Sequence, residues 1–225
     1  MEARRIYLIS GLGADYKVLE KIRFPDELEV IFLDWLIPEK NENFASYVQR
    51  MADRIDESEP FFLLGYSFGG IIAQEIHRLK PAKKVIILAS IKSDREKSRF
   101  IKAGELTHLP KYLPQSLFGD KSTLVYGFLR RAVDPKNPSV MRYFNVKDPY
   151  YLKWSIEKVA SWKCPAENPD VIQIMGDKDI VFPIKKCCPN FIIKGGTHLF
   201  PATKHREVSL LLSKILTDEE LETST

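Results

Sequence analysis

The chain reads as an α/β protein built on a mainly parallel sheet, and three observations carry that reading. Six apolar runs have strand length: Arg5 to Ile9, Leu28 to Leu33, Phe61 to Leu64, Val85 to Ala89, Val171 to Met175 and Phe191 to Ile193. Most are continuous rather than alternating, and a strand apolar on both sides needs cover on both sides, which helices flanking a parallel sheet provide. Helical patterns occupy most of the gaps between the runs.

In chain order, the first run starts almost at the N-terminus and is followed by a helical candidate at Tyr16 to Ile22. After the second run, Phe44 to Asp56 reads as a helix. The third run, introduced by Pro60, passes within four residues into a pattern that places Ile71, Ile72, Ile76 and Leu79 at helical spacing, so the spacing predicts a helix over Phe68 to Leu79. Beyond the fourth run, from about Lys92 to Pro165, aromatic residues, prolines and charges mix at helical spacing with no strand-like run, which predicts a helical insertion. The fifth and sixth runs follow, then a last helix at Lys204 to Leu216 and a short polar tail from Asp218 to Thr225 expected to fray.

The bulk properties exclude several function classes. A chain of 225 residues with 44% hydrophobic content buries one substantial core, so one domain with an insertion is expected rather than two domains. The apolar run after Arg4 and Arg5 is too short for a secretory leader, and no run has membrane-spanning length. Cys164, Cys187 and Cys188 make an odd count without C-x-x-C spacing, so neither a disulfide framework nor a zinc site is indicated and a cytoplasmic location is the expectation. The net charge of +4 is mild, with no basic-aromatic stripe, so neither nucleic acid nor membrane is an expected partner; the oligomeric state is left open.

Chemistry concentrates at Gly65-Tyr66-Ser67-Phe68-Gly69, where the third strand run meets the helix pattern. On such a sharp strand-to-helix turn, side chains two residues either side of Ser67 would meet neighbouring backbone, which explains glycine at both places. The hydroxyl is exposed there, and the N–H of Phe68 and the positive end of the helix dipole lie beside it. A glycine-rich packing turn is the plain structural alternative. Serine is a weak nucleophile unless an imidazole accepts its proton, and a carboxylate on the other ring nitrogen selects the tautomer. His77 lies within the helix after the turn, His108 in the insertion and His205 in the first turn of the last helix, whereas Gly195-Gly196 precede His198 in a loop after the sixth run. The carboxylate candidates are Asp177 and Asp179 in Gly176-Asp177-Lys178-Asp179, after the fifth run.

With these motifs in place, the chain resembles the α/β-hydrolase family over nearly its whole length. The resemblance rests on the elbow around Ser67, the acid loop Gly176 to Asp179 with Pro183 beyond it, the loop Gly195-Gly196-Thr197-His198-Leu199-Phe200, and the loop Ser10-Gly11-Leu12-Gly13-Ala14. It implies a six-stranded sheet of order 2-1-3-4-5-6, and a core of residues 1–91 and 166–225 carrying a helical cap at 92–165. It implies a triad of Ser67, Asp179 and His198, with Asp177 at a variable position. It also implies an oxyanion hole made of the backbone N–H groups of Leu12 and Phe68. Ser10 departs from relatives that carry histidine before the first glycine, so this loop is expected to be braced differently. The loop is not a dinucleotide fingerprint, because the third glycine is absent.

The expected activity is hydrolysis of a small carboxylic ester or thioester through an acyl-serine, with no cofactor and no metal. The alternatives are a lyase or carbon–carbon bond hydrolase using the same triad, or a non-catalytic ligand-binding protein. Of the insertion's aromatics, Phe100, Tyr112, Phe118, Tyr126, Phe128, Tyr143, Phe144, Tyr150, Tyr151, Trp154 and Trp162, most are expected to hold its own small core. From Lys92 to Lys163 fifteen Lys or Arg stand against seven Asp or Glu, an excess that includes Arg130 and Arg131. That charge reads either as a solvated surface or as a field steering an anionic substrate.

Overall fold

The computed structural model describes residues 4–107, 109–118, 142–164 and 167–217. Six strands form one sheet: β1 (Arg5–Ile9), β2 (Glu29–Phe32), β3 (Phe61–Tyr66), β4 (Lys84–Leu88), β5 (Val171–Gly176) and β6 (Phe191–Ile193). Every pairing is parallel, in the order β2-β1-β3-β4-β5-β6. Alternate residues of each strand serve opposite layers. Ile6, Leu8, Phe62, Leu64, Ile86, Leu88 and Ile174 join one cluster, covered by Val208, Leu212 and Ile215 of helix α6 (His205–Leu216). Tyr7, Ile9, Leu63, Val85, Ile87 and Met175 join the other. That layer is covered by Tyr47, Val48 and Met51 of α1 (Phe44–Ala52) and by Ile71, Ile72 and Ile76 of α2 (Phe68–Leu79). Burial on both faces explains why β3 is continuous hydrocarbon, whereas β2, at the sheet edge, leaves Glu29 and Val30 exposed.

The start of α1 is fixed by a side-chain cap. Asn43 Oδ1 accepts the Ser46 N–H at 2.9 Å to open α1, satisfying one of the unpaired donors of a first turn. The region expected to be a helix at Tyr16 to Ile22 is instead a 3₁₀ turn, Tyr16–Val18, continued by a further turn through Lys21. Its bonds run from Leu19 N–H to Tyr16 O and from Ile22 N–H to Leu19 O, and this tighter coil still buries Val18, Leu19 and Ile22.

Between β4 and β5 the regular elements among the described residues are all helical: α3 (Arg99–Thr107), α4 (Leu109–Tyr112), α5 (Pro149–Ser161) and two 3₁₀ turns, Asp94–Glu96 and Gln115–Phe118. Asp148 caps α5, accepting the Tyr151 N–H at 2.8 Å, and Pro149 occupies a first-turn position that needs no donor. This segment is tied to the helical layer of α1 and α2 by its indoles: Trp154 Nε1 donates to Glu42 O, just before α1, at 3.0 Å and Trp162 Nε1 to Glu75 Oε1 of α2 at 2.8 Å. Lys97, fully buried, donates to the carbonyls of Ala160 and Trp162, both at 2.6 Å, where α5 ends. Phe118, Tyr143, Phe144, Tyr151, Trp154 and Trp162 are buried, while Phe100 and Tyr112 face outward. Tyr126, Phe128, Arg130, Arg131, His108 and the tail from Asp218 lie outside the described residues. No helix among those described is long and apolar enough to cross a membrane.

Candidate active site

The site lies where the carboxyl ends of β1, β3, β5 and β6 meet, the edge at which parallel sheets gather their functional loops. β3 ends at Tyr66 and α2 begins at Phe68, leaving Ser67 alone at the corner with φ 53° and ψ −119°. A non-glycine residue in that region is strained, so its surroundings must hold it. They do so through backbone: Ser67 N–H donates to Leu88 O at 2.9 Å, and Ser67 O accepts from Gly70 N–H at 2.9 Å and Ser90 Oγ at 2.7 Å. The flanking glycines are required by space. A Cβ on Gly65 would stand 2.3 Å from Gly69 O, and one on Gly69 would stand 2.3 Å from both Ile9 O and Ser10 O.

Asp179 and His198 arrive on the loops after β5 and β6. These loops cross closely: Lys178 N–H donates to Gly196 O at 2.9 Å, and a Cβ on Gly176 would meet that same oxygen at 2.2 Å. Asp179 Oδ1 accepts the N–H groups of Val181 at 2.8 Å and Phe182 at 3.0 Å, which leaves Oδ2 directed at His198 Nδ1 at 2.7 Å. The far ring nitrogen, Nε2, lies 2.8 Å from Ser67 Oγ. His198 and Asp179 are buried and Ser67 is half-buried, so the line of three side chains opens outward only at the hydroxyl.

The rings of Tyr66 and Phe182 flank the imidazole at 5.5 and 5.6 Å. Burial holds the Tyr66 phenol well above its ordinary value, so it stays neutral beside the histidine. The other candidates are placed elsewhere. Asp177 is not the carboxylate hydrogen-bonded to His198, and its Oδ1 is buried without a hydrogen-bond partner among the described residues. His77 Nδ1 accepts the Ala82 N–H at 3.0 Å, closing the end of α2, and His205 Nδ1 sits 3.2 Å from Ala202 O. Burial pushes the Cys187 and Cys164 thiols up, so neither competes as a thiolate nucleophile.

The loop after β1 completes the site. A Cβ on Gly11 would lie 3.2 Å from Ser67 Cβ and 2.8 Å from the Tyr66 ring, so this loop is pressed against the serine. It turns through an Ala14 N–H to Gly11 O bond of 2.9 Å, with Gly13 at φ +72°. The N–H groups of Leu12 and Phe68 enter no loop or cap hydrogen bond among the described residues. Ser10 Oγ donates to Ala14 O at 2.6 Å, a hydroxyl bracing the loop from within.

Two further braces were not legible in the sequence. Trp35, just beyond β2, donates Nε1–H to Gly11 O and Ala14 O, both at 3.1 Å, and stacks on the Phe68 ring with centroids 5.3 Å apart. The segment before α5 also clasps the loop, with Val146 N–H to Gly13 O at 3.0 Å, Asp15 N–H to Tyr143 O at 3.2 Å and Asn145 Nδ2 to Asp15 Oδ2 at 2.7 Å. Among the described residues no group of three or more His, Cys, Asp or Glu is disposed to hold a metal ion.

No protein-family model matches the chain, and no curated protein matches it. Solved structures do. An esterase from Thermogutta terrifontis is similar over 96% of this chain and 90% of its own, with a TM-score of 0.73 at 15% identity. An α/β hydrolase fold protein from Burkholderia ambifaria is similar over 94% and 90%, with a TM-score of 0.66 at 15% identity. MenH from S. aureus is similar over 97% of both chains, with a TM-score of 0.67 at 14% identity. Together with the sheet order, these likenesses show the α/β-hydrolase fold.

Proposed function

We propose that the protein is a serine hydrolase that cleaves a small carboxylic ester or thioester through an acyl-Ser67 intermediate. The observation that carries this reading is the hydrogen-bonded line from Ser67 Oγ through His198 to Asp179, 2.8 and 2.7 Å long, set at a strained corner beside a helix N-terminus. His198 Nε2 takes the hydroxyl proton as Oγ attacks the carbonyl carbon, and Asp179 stabilises the imidazolium and holds its tautomer. The carbonyl oxygen, now carrying negative charge, is received by the N–H groups of Leu12 and Phe68. Collapse breaks the bond to the alcohol or thiol, which leaves with the proton from His198. Water then repeats the sequence: His198 removes its proton, the hydroxide adds to the acyl carbon, and Ser67 departs reprotonated with release of the acid.

Residues 92–165 act in this reading as a cap over the pocket carried by 1–91 and 166–225. Leu12, Trp35, Leu117, Phe118, Tyr151 and Leu152 pack together in one buried apolar cluster that joins this segment to the loop after β1. The basic excess between Lys92 and Lys163 favours an anionic ester through steering, although Lys97, Lys153 and Lys163 are committed to carboxylates nearby.

The test is covalent. A fluorophosphonate labels the wild-type protein at Ser67, and Ser67→Ala, while folding normally, is unlabelled and loses on the order of 10⁶ of kcat on its best ester. Undiminished hydrolysis by folded Ser67→Ala overturns the mechanism.

A further inference from the structure

We infer that Trp35 is a positioning residue for the oxyanion hole, orienting the Leu12 N–H through the peptide plane that it shares with Gly11 O. The inference rests on the reading of Leu12 and Phe68 as oxyanion donors. Its physical basis is the rigidity of the peptide unit: Gly11 C=O and Leu12 N–H belong to one planar, trans group, so they point in opposite directions. Holding the carbonyl fixes the direction of the N–H.

Trp35 holds it from outside the loop. Its Nε1–H is shared between Gly11 O and Ala14 O at 3.1 Å each, the carbonyls that bracket Leu12 and Gly13. The same indole stacks at 12° on Phe68, whose backbone N–H is the second donor, while Tyr151 of α5 leans on it at 5.5 Å. One side chain thus touches both halves of the hole and the helical segment above it. Neither contact follows from the elbow itself, whose corner is held by Leu88, Gly70 and Ser90. The chain has Ser10 before the glycine turn, and that hydroxyl reaches only Ala14 O. The Gly11 carbonyl is therefore braced by its own turn, through Ala14 N–H, and by Trp35.

A preorganised donor acts on the charged intermediate far more than on the neutral substrate. Trp35→Phe keeps an aromatic ring beside Phe68 while removing the N–H donor together with the second ring of the indole, so an NMR measurement on the wild type separates loss of the donor from loss of packing. With a neutral ester the expected result is kcat lowered about 10- to 100-fold with KM within about twofold, because misplacing a donor costs rate without removing substrate contacts. Affinity for a trifluoromethyl ketone, which forms a tetrahedral adduct on Ser67, falls in parallel.

A folded Trp35→Phe protein with kcat and ketone affinity within about twofold of wild type overturns the inference. So does a raised KM at unchanged kcat, which marks a pocket wall instead. A measurement on the wild type removes dependence on the variant's folding. When the adduct forms, charge on the Leu12 N–H polarises the shared peptide and strengthens the bond at Gly11 O. The Trp35 indole proton then moves downfield in the NMR spectrum while those of Trp154 and Trp162 stay, and an unmoved Trp35 signal is the contrary result. If wild type is neither labelled by fluorophosphonate nor silenced by Ser67→Ala, the serine-hydrolase reading has failed; if it passes and Trp35 is inert, only this inference has.

Discussion

The proton-carrying side of the site and the side that would receive negative charge are built by different means. Ser67, Asp179 and His198 stand on loops whose geometry is set mainly by backbone: a corner tied to Leu88 O and the Ser90 hydroxyl, three glycines (Gly65, Gly69 and Gly176) where an added Cβ would stand 2.3 Å or less from a backbone oxygen, and a carboxylate clamped by consecutive N–H groups. The Gly11 to Asp15 loop depends instead on side chains and segments far away in sequence, Trp35 and the stretch before α5. Groups fixed by the sheet tolerate almost no substitution, whereas a loop held by outside contacts can be tuned by residues that never touch substrate.

Gly69→Ala should show the first half of that contrast most severely. Its methyl group has nowhere to go between Ile9 O and Ser10 O, both 2.3 Å away, and backbone cannot yield as a flexible side chain does. Expression and thermal melting are expected to show little or no folded protein, and a variant melting within a few degrees of wild type breaks the claim that sterics fix the elbow. Asp179→Asn comes next. The amide fits the space, but it leaves the imidazole in the wrong tautomer, and kcat should fall on the order of 10⁴ with the fold retained. Asp177→Asn, examined beside it, should fall by less than tenfold, since its carboxylate is not the one hydrogen-bonded to His198; the reverse order in the kinetics moves the acid to Asp177. The smallest effect belongs to the other half. Asn145→Ala removes one bond to Asp15 while the backbone bonds of Val146 and Asp15 remain. A loss of a few-fold in kcat with KM nearly constant is expected, and the size of that loss measures how strongly the helical segment tunes the loop.

The same division governs what could be read from the sequence. Buried parallel strands are continuous apolar runs, so all six were legible, while their order came only with the family resemblance; the elbow advertises itself because only glycine fits beside its backbone. Ser67 and His198 are legible for a related reason, since each follows a strand at short range, whereas Asp177 and Asp179 follow β5 equally closely and the choice between them came from the family resemblance. Trp35 gave no such signal. It follows β2 at the edge of the sheet, and nothing in the spacing of Asp34-Trp35-Leu36 announces a bond to carbonyls more than twenty residues earlier. The coil at Tyr16 to Ile22 differs from the expected helix for a local reason: a 3₁₀ turn followed by a second turn buries the same apolar positions as a short helix.

The pairing of β4 with β5 sets a clock on the appearance of the site. Val85 pairs with Val171, so the segment of 86 positions from one to the other must be gathered before the sheet can extend past β4. Closing so long a loop is entropically uphill until the strands lock, and parallel pairing at large sequence separation is slow. The elbow at Ser67 needs only the first four strands, but Asp179 and His198 follow β5 and β6. A refolding chain is therefore expected to form the corner that carries Ser67 before Asp179 and His198 reach it, and under the proposed mechanism regain of turnover reports the last step of assembly rather than the first collapse.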